Sequence, residues 1–312
     1  MSIQTPSEYY NTLCQAEISL RDIISVVLKS KIVIVFTSIL FAIGFGIYIY
    51  NQPNIYKSEV LTVTAKQEQH SGIGDLAGKL GGFAGMAGIS LPQQTDNTEI
   101  ILVTLKSKKF VMNLIEKHNL YPELIAATNW QAQQNKLIYN PELYNEKTGE
   151  WVRKVNFPKQ KKPSGQEAYE KFMKVFSVKK SVENGTIILS VEHLSPVRAK
   201  EWLDLIINDL NQEMRSTDVE EAQKNITYLK ALLNQPEYVA MREVLYGLLE
   251  EQVKTIMLSK VRDNYALKVI DPALVPEMRE KPRRIIFILV GALLGMVLSV
   301  FVTLTRYFYK NS

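Results

Sequence analysis

The reading of this chain turns on Tyr265 to Leu304, YALKVIDPALVPEMREKPRRIIFILVGALLGMVLSVFVTL. Ile285 to Leu304 holds no charge and no proline, about the ~20 residues that a helix needs to cross a bilayer core. Ahead of it Pro272, Pro276 and Pro282 each fix φ and remove a backbone donor, so the strap they punctuate can be neither helix nor central strand. A short apolar strand leads into the strap from Tyr265. Such an ending delivers a folded body to a membrane at a fixed distance, and a matching anchor is expected upstream.

Ile32 to Tyr50, IVIVFTSILFAIGFGIYIY, supplies that match. It is too long for a signal-peptide core, and no small-x-small cleavage site follows it. Neither run has a polar face, which argues against a buried helix of a soluble domain. The division that follows is an N-terminal segment 1–31, a first span 32–50, a central domain 51–284, a second span 285–304 and a tail 305–312. Two spans put both termini on one side. Lys29 and Lys31 abut the first span and only Lys57 lies close behind it, which favours termini inside. Long domains translocate largely regardless of charge, however, so charge alone leaves the orientation open.

The formal net charge of +5 is too small and too dispersed to point to nucleic acid. The one cysteine, Cys14, excludes a disulfide framework within the chain. Ser19 to Lys31 carries Leu20, Ile23, Ile24, Val27 and Leu28 at helical spacing, either an amphipathic helix at the interface or a plain extension of the first span. Tyr56 to Ala65 alternates and is β-branched, so it is a strand. The glycine-rich loop Ser71 to Ser90 fails as a phosphate loop. With Gly78-Lys79 as the pair, Ile73 and Leu80 stand where glycine and a hydroxyl are needed.

Asn97 to Lys108 and Ser107 to Asn119 read as two helices. Residues 120–164, rich in Asn, Gln, Pro and Lys, read as an irregular insertion with one short strand at Trp151 to Val155. Gly165 to Lys174 is a helix, and the strands Phe176 to Val182 and Thr186 to His193 flank Asn184-Gly185, a strong hairpin signal. Ser195-Pro196 is an N-cap with proline at the first helical position. Ala199, Trp202, Leu203, Ile206, Leu210 and Met214 then share one face of a helix reaching Asn234. After Pro236, Tyr238 to Asn264 carries Met241, Leu245, Leu248, Leu249, Val253 and Ile256 on a stripe. Laid end to end the two helices would stretch about 100 Å, which the strap could not bring back to the bilayer. A helical hairpin over about 196–264, turning near Asn234-Gln235-Pro236, is expected instead.

No catalytic, cofactor or metal site is proposed by the residues. His70, His118 and His193 have no Cys, His or carboxylate partner at metal-ligand spacing. Glu220-Glu221 and Glu250-Glu251 sit on polar helix faces, where solvation or ion pairing is the default. Gly291-x-x-x-Gly295 and Ala42-x-x-x-Gly46 are small-residue ridges that let apolar helices approach closely.

The combined pattern resembles a known family. The marks are the lead Leu20-Arg21-Asp22-Ile23-Ile24, Gln252-x-Lys254, Met257-Leu258, Tyr265 to Ala273, Pro276-Glu277, Pro282-Arg283 and a glycine-containing last span. They resemble the Wzz chain-length determinants, the polysaccharide co-polymerases of Gram-negative inner membranes. The resemblance implies an α+β membrane protein with cytoplasmic termini, a periplasmic α/β base and helical hairpins assembled into a homo-oligomer. It implies no enzyme and no cofactor. The implied role is to set the chain length of O-antigen or a related polysaccharide beside a membrane polymerase, with the nascent polymer as a further partner. The strap residues Pro272, Pro276, Pro282, Arg283 and Arg284 would lie next to the membrane. An alternative is an export adaptor working with a separate tyrosine kinase, since the Walker motifs of the kinase-bearing relatives are absent. A two-span sensor would need an output domain, which neither terminal segment is long enough to be.

Overall fold

The computed structural model describes residues 26, 28–65, 97–181, 185–235 and 241–311, with the backbone alone for Phe308, Lys310 and Asn311. Most of the stretch 19–31, the glycine-rich loop, Cys14, His70, Asn184 and Pro236 lie outside the described residues. The described chain falls into two units. One joins the chain ends, up to Gln52 and from Lys281, and the other runs from Pro53 to Glu280.

The first unit is a pair of helices. Helix α1 spans Lys31–Tyr50 and α7 spans Arg284–Asn311, so α7 continues through the residues expected as a tail. Both are long and apolar enough to cross a membrane.

The second unit is mixed α and β. Its main sheet is formed by β1 (Tyr56–Thr64), β6 (Phe176–Lys180), β7 (Thr186–His193) and β8 (Leu267–Asp271), in the order β6-β7-β1-β8. Every pairing is antiparallel, with Tyr56 opposite His193 and Val63 opposite Thr186. Gly185 at φ +63 takes the left-handed position that the β6–β7 turn requires. The strand before the strap, β8, lies at the sheet edge, and the strap that follows is neither helix nor central strand, as its prolines demanded.

Helices α2 (Asn97–Lys106) and α3 (Lys108–Lys117) are separated at Ser107, whose hydroxyl accepts from the Phe110 N–H and caps α3. Helix α4 (Gly165–Val175) is capped likewise by Ser164. Helix α5 (Pro196–Leu233) starts at Ser195, whose hydroxyl accepts from the Arg198 N–H. Of the face read from the sequence, Ala199 is buried, Trp202, Leu203, Ile206 and Leu210 share one core with Val60, Ile187, Leu189, Val191, Phe172 and Leu267, and Met214 is half-buried against it.

Helix α6 (Arg242–Val261) returns antiparallel to α5. The Asn225 amide donates to the Gln252 side chain at 3.2 Å and Arg215 Nη2 donates to the Arg262 carbonyl at 2.6 Å. The hairpin expected from chain reach is present. The stripe expected on its second arm is not buried as a whole: Leu245 is, but Met241 and Val253 are exposed. Tyr246, Val253, Met257 and Val261 form an exposed apolar face of α6.

The insertion 120–164 is more ordered than its composition suggested. A π-helical turn (Pro122–Ala126) precedes the hairpin of β2 (Ala127–Gln131) and β3 (Lys136–Tyr139), and β4 (Tyr144–Asn145) pairs with β5 (Glu150–Trp151). The expected strand Trp151–Val155 shrinks to the two residues of β5. Leu120 and Tyr121 join the main core, with Leu124, Ile125 and Trp151 packed against it, and ring contacts tie the rest. Tyr56 meets Trp130 edge-on, and Tyr144 packs on both Tyr139 and Trp151. Cross-strand aromatic pairs stabilise short ladders even where the other side chains are polar.

Candidate functional site

In the apolar pair, glycine positions one helix against the other. A Cβ added at Gly291 would lie 2.7 Å from Phe45 Cβ, and one at Gly295 would lie 2.8 Å from Phe41 Cβ and 3.0 Å from the Thr37 carbonyl oxygen. At Gly46 the nearest atom is Ile288 Cγ1 at 3.8 Å, ordinary contact, and Ala42 is half-buried. The Ser38 hydroxyl donates across the pair to the Ala292 carbonyl at 2.5 Å. These contacts step up one helix as they step down the other, so the pair is antiparallel. The ridge of Gly291 and Gly295 therefore faces a helix of its own chain. Where the pair ends, the Arg284 guanidinium lies over the Tyr50 ring at 5.1 Å.

The strap leaves β8 and runs beside the start of β1. Ala273 is buried, the Ser58 hydroxyl donates to the Leu274 carbonyl at 2.7 Å, and the Glu280 N–H donates to the Ile55 carbonyl at 2.8 Å. Between these ties Leu274, Val275 and Met278 are exposed. Pro272 stands at the exposed start of the strap and Pro276 is half-buried. Pro282, Arg283 and Arg284 belong to the other unit.

Three polar side chains hold the second unit together, and no local pattern announces them. Asn211, buried in the middle of α5, accepts from the N–H groups of Ala266 and Leu267 at 2.7 and 2.9 Å and donates to the Leu267 carbonyl at 3.3 Å. Buried Arg153 donates to the Lys161 and Gln160 carbonyls, both at 2.7 Å, and to Glu167 at 2.6 Å. Asp209 on α5 receives Lys117 at 2.8 Å and His118 Nε2 at 2.9 Å. His118 thus has a carboxylate partner 91 residues away in sequence.

His193 also meets a carboxylate only in space, as a neighbour without a hydrogen bond. Its ring packs 4.9 Å from Trp202, its Nδ1 accepts from the Ser195 N–H at 3.0 Å, and Nε2 is buried 4.0 Å from Glu123 Oε2. The same Glu123 oxygen accepts from Trp202 Nε1 at 3.2 Å, and Arg198 Nε lies 3.4 Å from the other. Burial lowers the imidazole pKa to about 4, and burial raises that of Glu123 against the pull of Arg198. The cluster sets a buried acid beside a buried base.

A pH dependence follows. The folded His193 resists the proton that the unfolded chain accepts near pH 6.5. Stability is therefore complete above about pH 6.5 and is lost as the pH falls towards 4, by on the order of 3 kcal/mol at the low end. Glu123 acts in the opposite direction, since its raised folded pKa gains stability as the pH falls. His193→Asn, whose carbonyl can still accept from Ser195, isolates the histidine. Its melting temperature should fall less than the wild type's between pH 6.5 and 4. Parallel profiles for the two proteins would refute the assignment.

Residues 16–118 match the family "Wzz: Chain length determinant protein". No curated protein matches. Among solved structures, a full-length bacterial polysaccharide co-polymerase aligns over 94% of this chain and 99% of its own, at 13% identity and a TM-score of 0.40. A fragment of the polysaccharide co-polymerase WzzB from Salmonella Typhimurium aligns over 73% of this chain and 100% of its own, at 11% identity and a TM-score of 0.27. A point mutant of the Shigella flexneri lipopolysaccharide O-antigen chain-length regulator aligns over 72% of this chain and 100% of its own, at 8% identity and a TM-score of 0.19. The resemblance read from the sequence names the same family as this match, although of its marks only Leu20 to Ile24 falls within residues 16–118 and those from Gln252 onward lie outside them.

Proposed function

We propose that this protein regulates the chain length of a surface polysaccharide, O-antigen or a related polymer. In this reading it is an oligomeric scaffold in the bacterial inner membrane, with both termini cytoplasmic and the unit from Pro53 to Glu280 in the periplasm, beside a membrane polymerase. The observation that carries the reading is the chain length determinant match over residues 16–118. Two apolar helices bracketing a mixed α and β unit agree with it. So does the exposed face of Tyr246, Val253, Met257 and Val261 on α6, which a second copy would cover. The strap, tied at Leu274 and Glu280 to the start of β1, would fix the height of the periplasmic unit above the bilayer. Its prolines lower the entropy that this order costs.

The test is a gel of surface polysaccharide. Cells lacking the protein should lose the modal band, and wild-type protein should restore it. A chain carrying Pro272→Ala, Pro276→Ala and Pro282→Ala should insert and assemble yet give a broader or shorter distribution. An unchanged ladder in the deleted cells would reject length control and leave the export-adaptor alternative. An unchanged ladder with the triple variant alone would reduce the strap to a tether.

A further inference from the structure

Residues 154–162, KVNFPKQKK, hold four lysines and no carboxylate. At the centre of this loop Phe157 is 96% exposed. Large apolar side chains are common on surfaces, but almost complete exposure at the tip of a basic loop is a different matter. The loop is also held in shape. Arg153 at its foot, buried, grips the Gln160 and Lys161 carbonyls and is itself paired with Glu167. Lys162 folds back towards Glu116 and over the Tyr121 ring. Lys154, Lys159 and Lys161 are left at the exposed surface around the phenyl ring. A buried guanidinium that ties the returning arm of a loop to its starting point fixes how the tip is presented.

We propose that this loop is a membrane-contact prong, in which Phe157 enters the interfacial layer of an anionic bilayer while Lys154, Lys159 and Lys161 meet the headgroups. An apolar ring among lysines is the composition that seats proteins at such a surface. The unit is joined at both ends to apolar helices, so the local concentration of bilayer is high and a weak contact is enough. The loop also follows the part of the fold nearest to an anchor along the chain. Trp130 rests on Tyr56, six residues after the end of α1, and the β2–β3 hairpin leads through Tyr139 and Tyr144 to Trp151, two residues before Arg153. The inference rests on the two-span reading and adds a third point of contact to it.

The experiment uses the full chain with Cys14→Ser, in lipid nanodiscs, carrying a nitroxide label on Phe157→Cys. A second sample carries the label on Leu293→Cys, an exposed position of α7. Collisions with oxygen report lipid and collisions with a nickel chelate report water. With phosphatidylglycerol present, the label at 157 should shift from nickel-accessible to oxygen-accessible. In discs of phosphatidylcholine alone, or with Lys154→Gln, Lys159→Gln and Lys161→Gln, it should shift back. A label at 157 that stays aqueous in the anionic discs while that at 293 sits in lipid overturns the prong and leaves the spans intact. A label at 293 in water overturns both. Immobilisation of an aqueous 157 label by added polygalacturonate, or its broadening by a second label, would assign the loop to an acidic glycan or another copy and equally overturn the proposal.

Discussion

Replacing Asn211 by Leu should lower the unfolding free energy of the central unit by on the order of 3–5 kcal/mol, since two N–H groups and one carbonyl lose their partner in a buried setting. The amide of Asn211 makes all three bonds to Ala266 and Leu267, and leucine has a similar volume but cannot make any of them. Stabilities of whole domains are about 5–15 kcal/mol, so the loss is a large share of what is available. It should be local as well as global. Strand β8 is held on its other side by β1, and with Asn211 gone it should detach first. We expect a lowered melting temperature and new tryptic cleavage at Lys268, seen by mass spectrometry of briefly digested, detergent-solubilised chain. A variant that melts with the wild type and resists trypsin at Lys268 would show that the strand is held by β1 alone.

The double change Gly291→Leu, Gly295→Leu should separate α1 from α7 without preventing insertion. Position 295 is the less forgiving. Its new Cβ would meet the backbone of α1 at Thr37 and Ser38, whereas at 291 the obstacle is the Phe45 side chain. Overpacking of this kind costs about 1–3 kcal/mol per site, and separation also strains the hydrogen bond from Ser38 to Ala292. Insertion depends on overall apolarity, which leucine increases. The expected outcome is normal recovery in the membrane fraction, a lower melting temperature in detergent and an altered polysaccharide length distribution. Gly46→Ala, where only Ile288 stands in ordinary contact, should be mild. If the double variant melted and performed as wild type, close approach of the two helices would have no role.

Much of the fold was legible because it is written in periodicity and punctuation. The apolar runs, the cap at Ser195 and the turn at Gly185 are local signals, and the elements formed where these placed them. The order of the insertion was not legible because it comes from long-range contacts, Leu120 and Tyr121 in the main core and pairs such as Tyr144 with Trp151, which are meaningful only once the chain is folded. The polar ties were illegible for the same reason. Asn211 stands in a helix and bonds to a strand more than fifty residues later, and His118 and His193 find their carboxylates at similar remove. Composition could have hinted at one of them, since an amide inside an otherwise apolar face at Ile207, Leu210 and Asn211 is unusual company.

The sheet order has a consequence for how copies of this chain would join in the proposed oligomer. An open four-stranded sheet offers two rims, β6 and β8, and an unguarded rim invites a neighbour's strand and runaway fibre growth. Both are guarded. The β6 rim ends in Lys179-Lys180, where an incoming strand would meet two like charges. At the β8 rim Asn211 already occupies the Leu267 peptide groups, and Pro272 follows at once with no N–H to offer. Strand addition is thereby disfavoured at either rim, and in the proposed oligomer the seam between copies would fall to side chains on helices, where geometry can limit the number that fit.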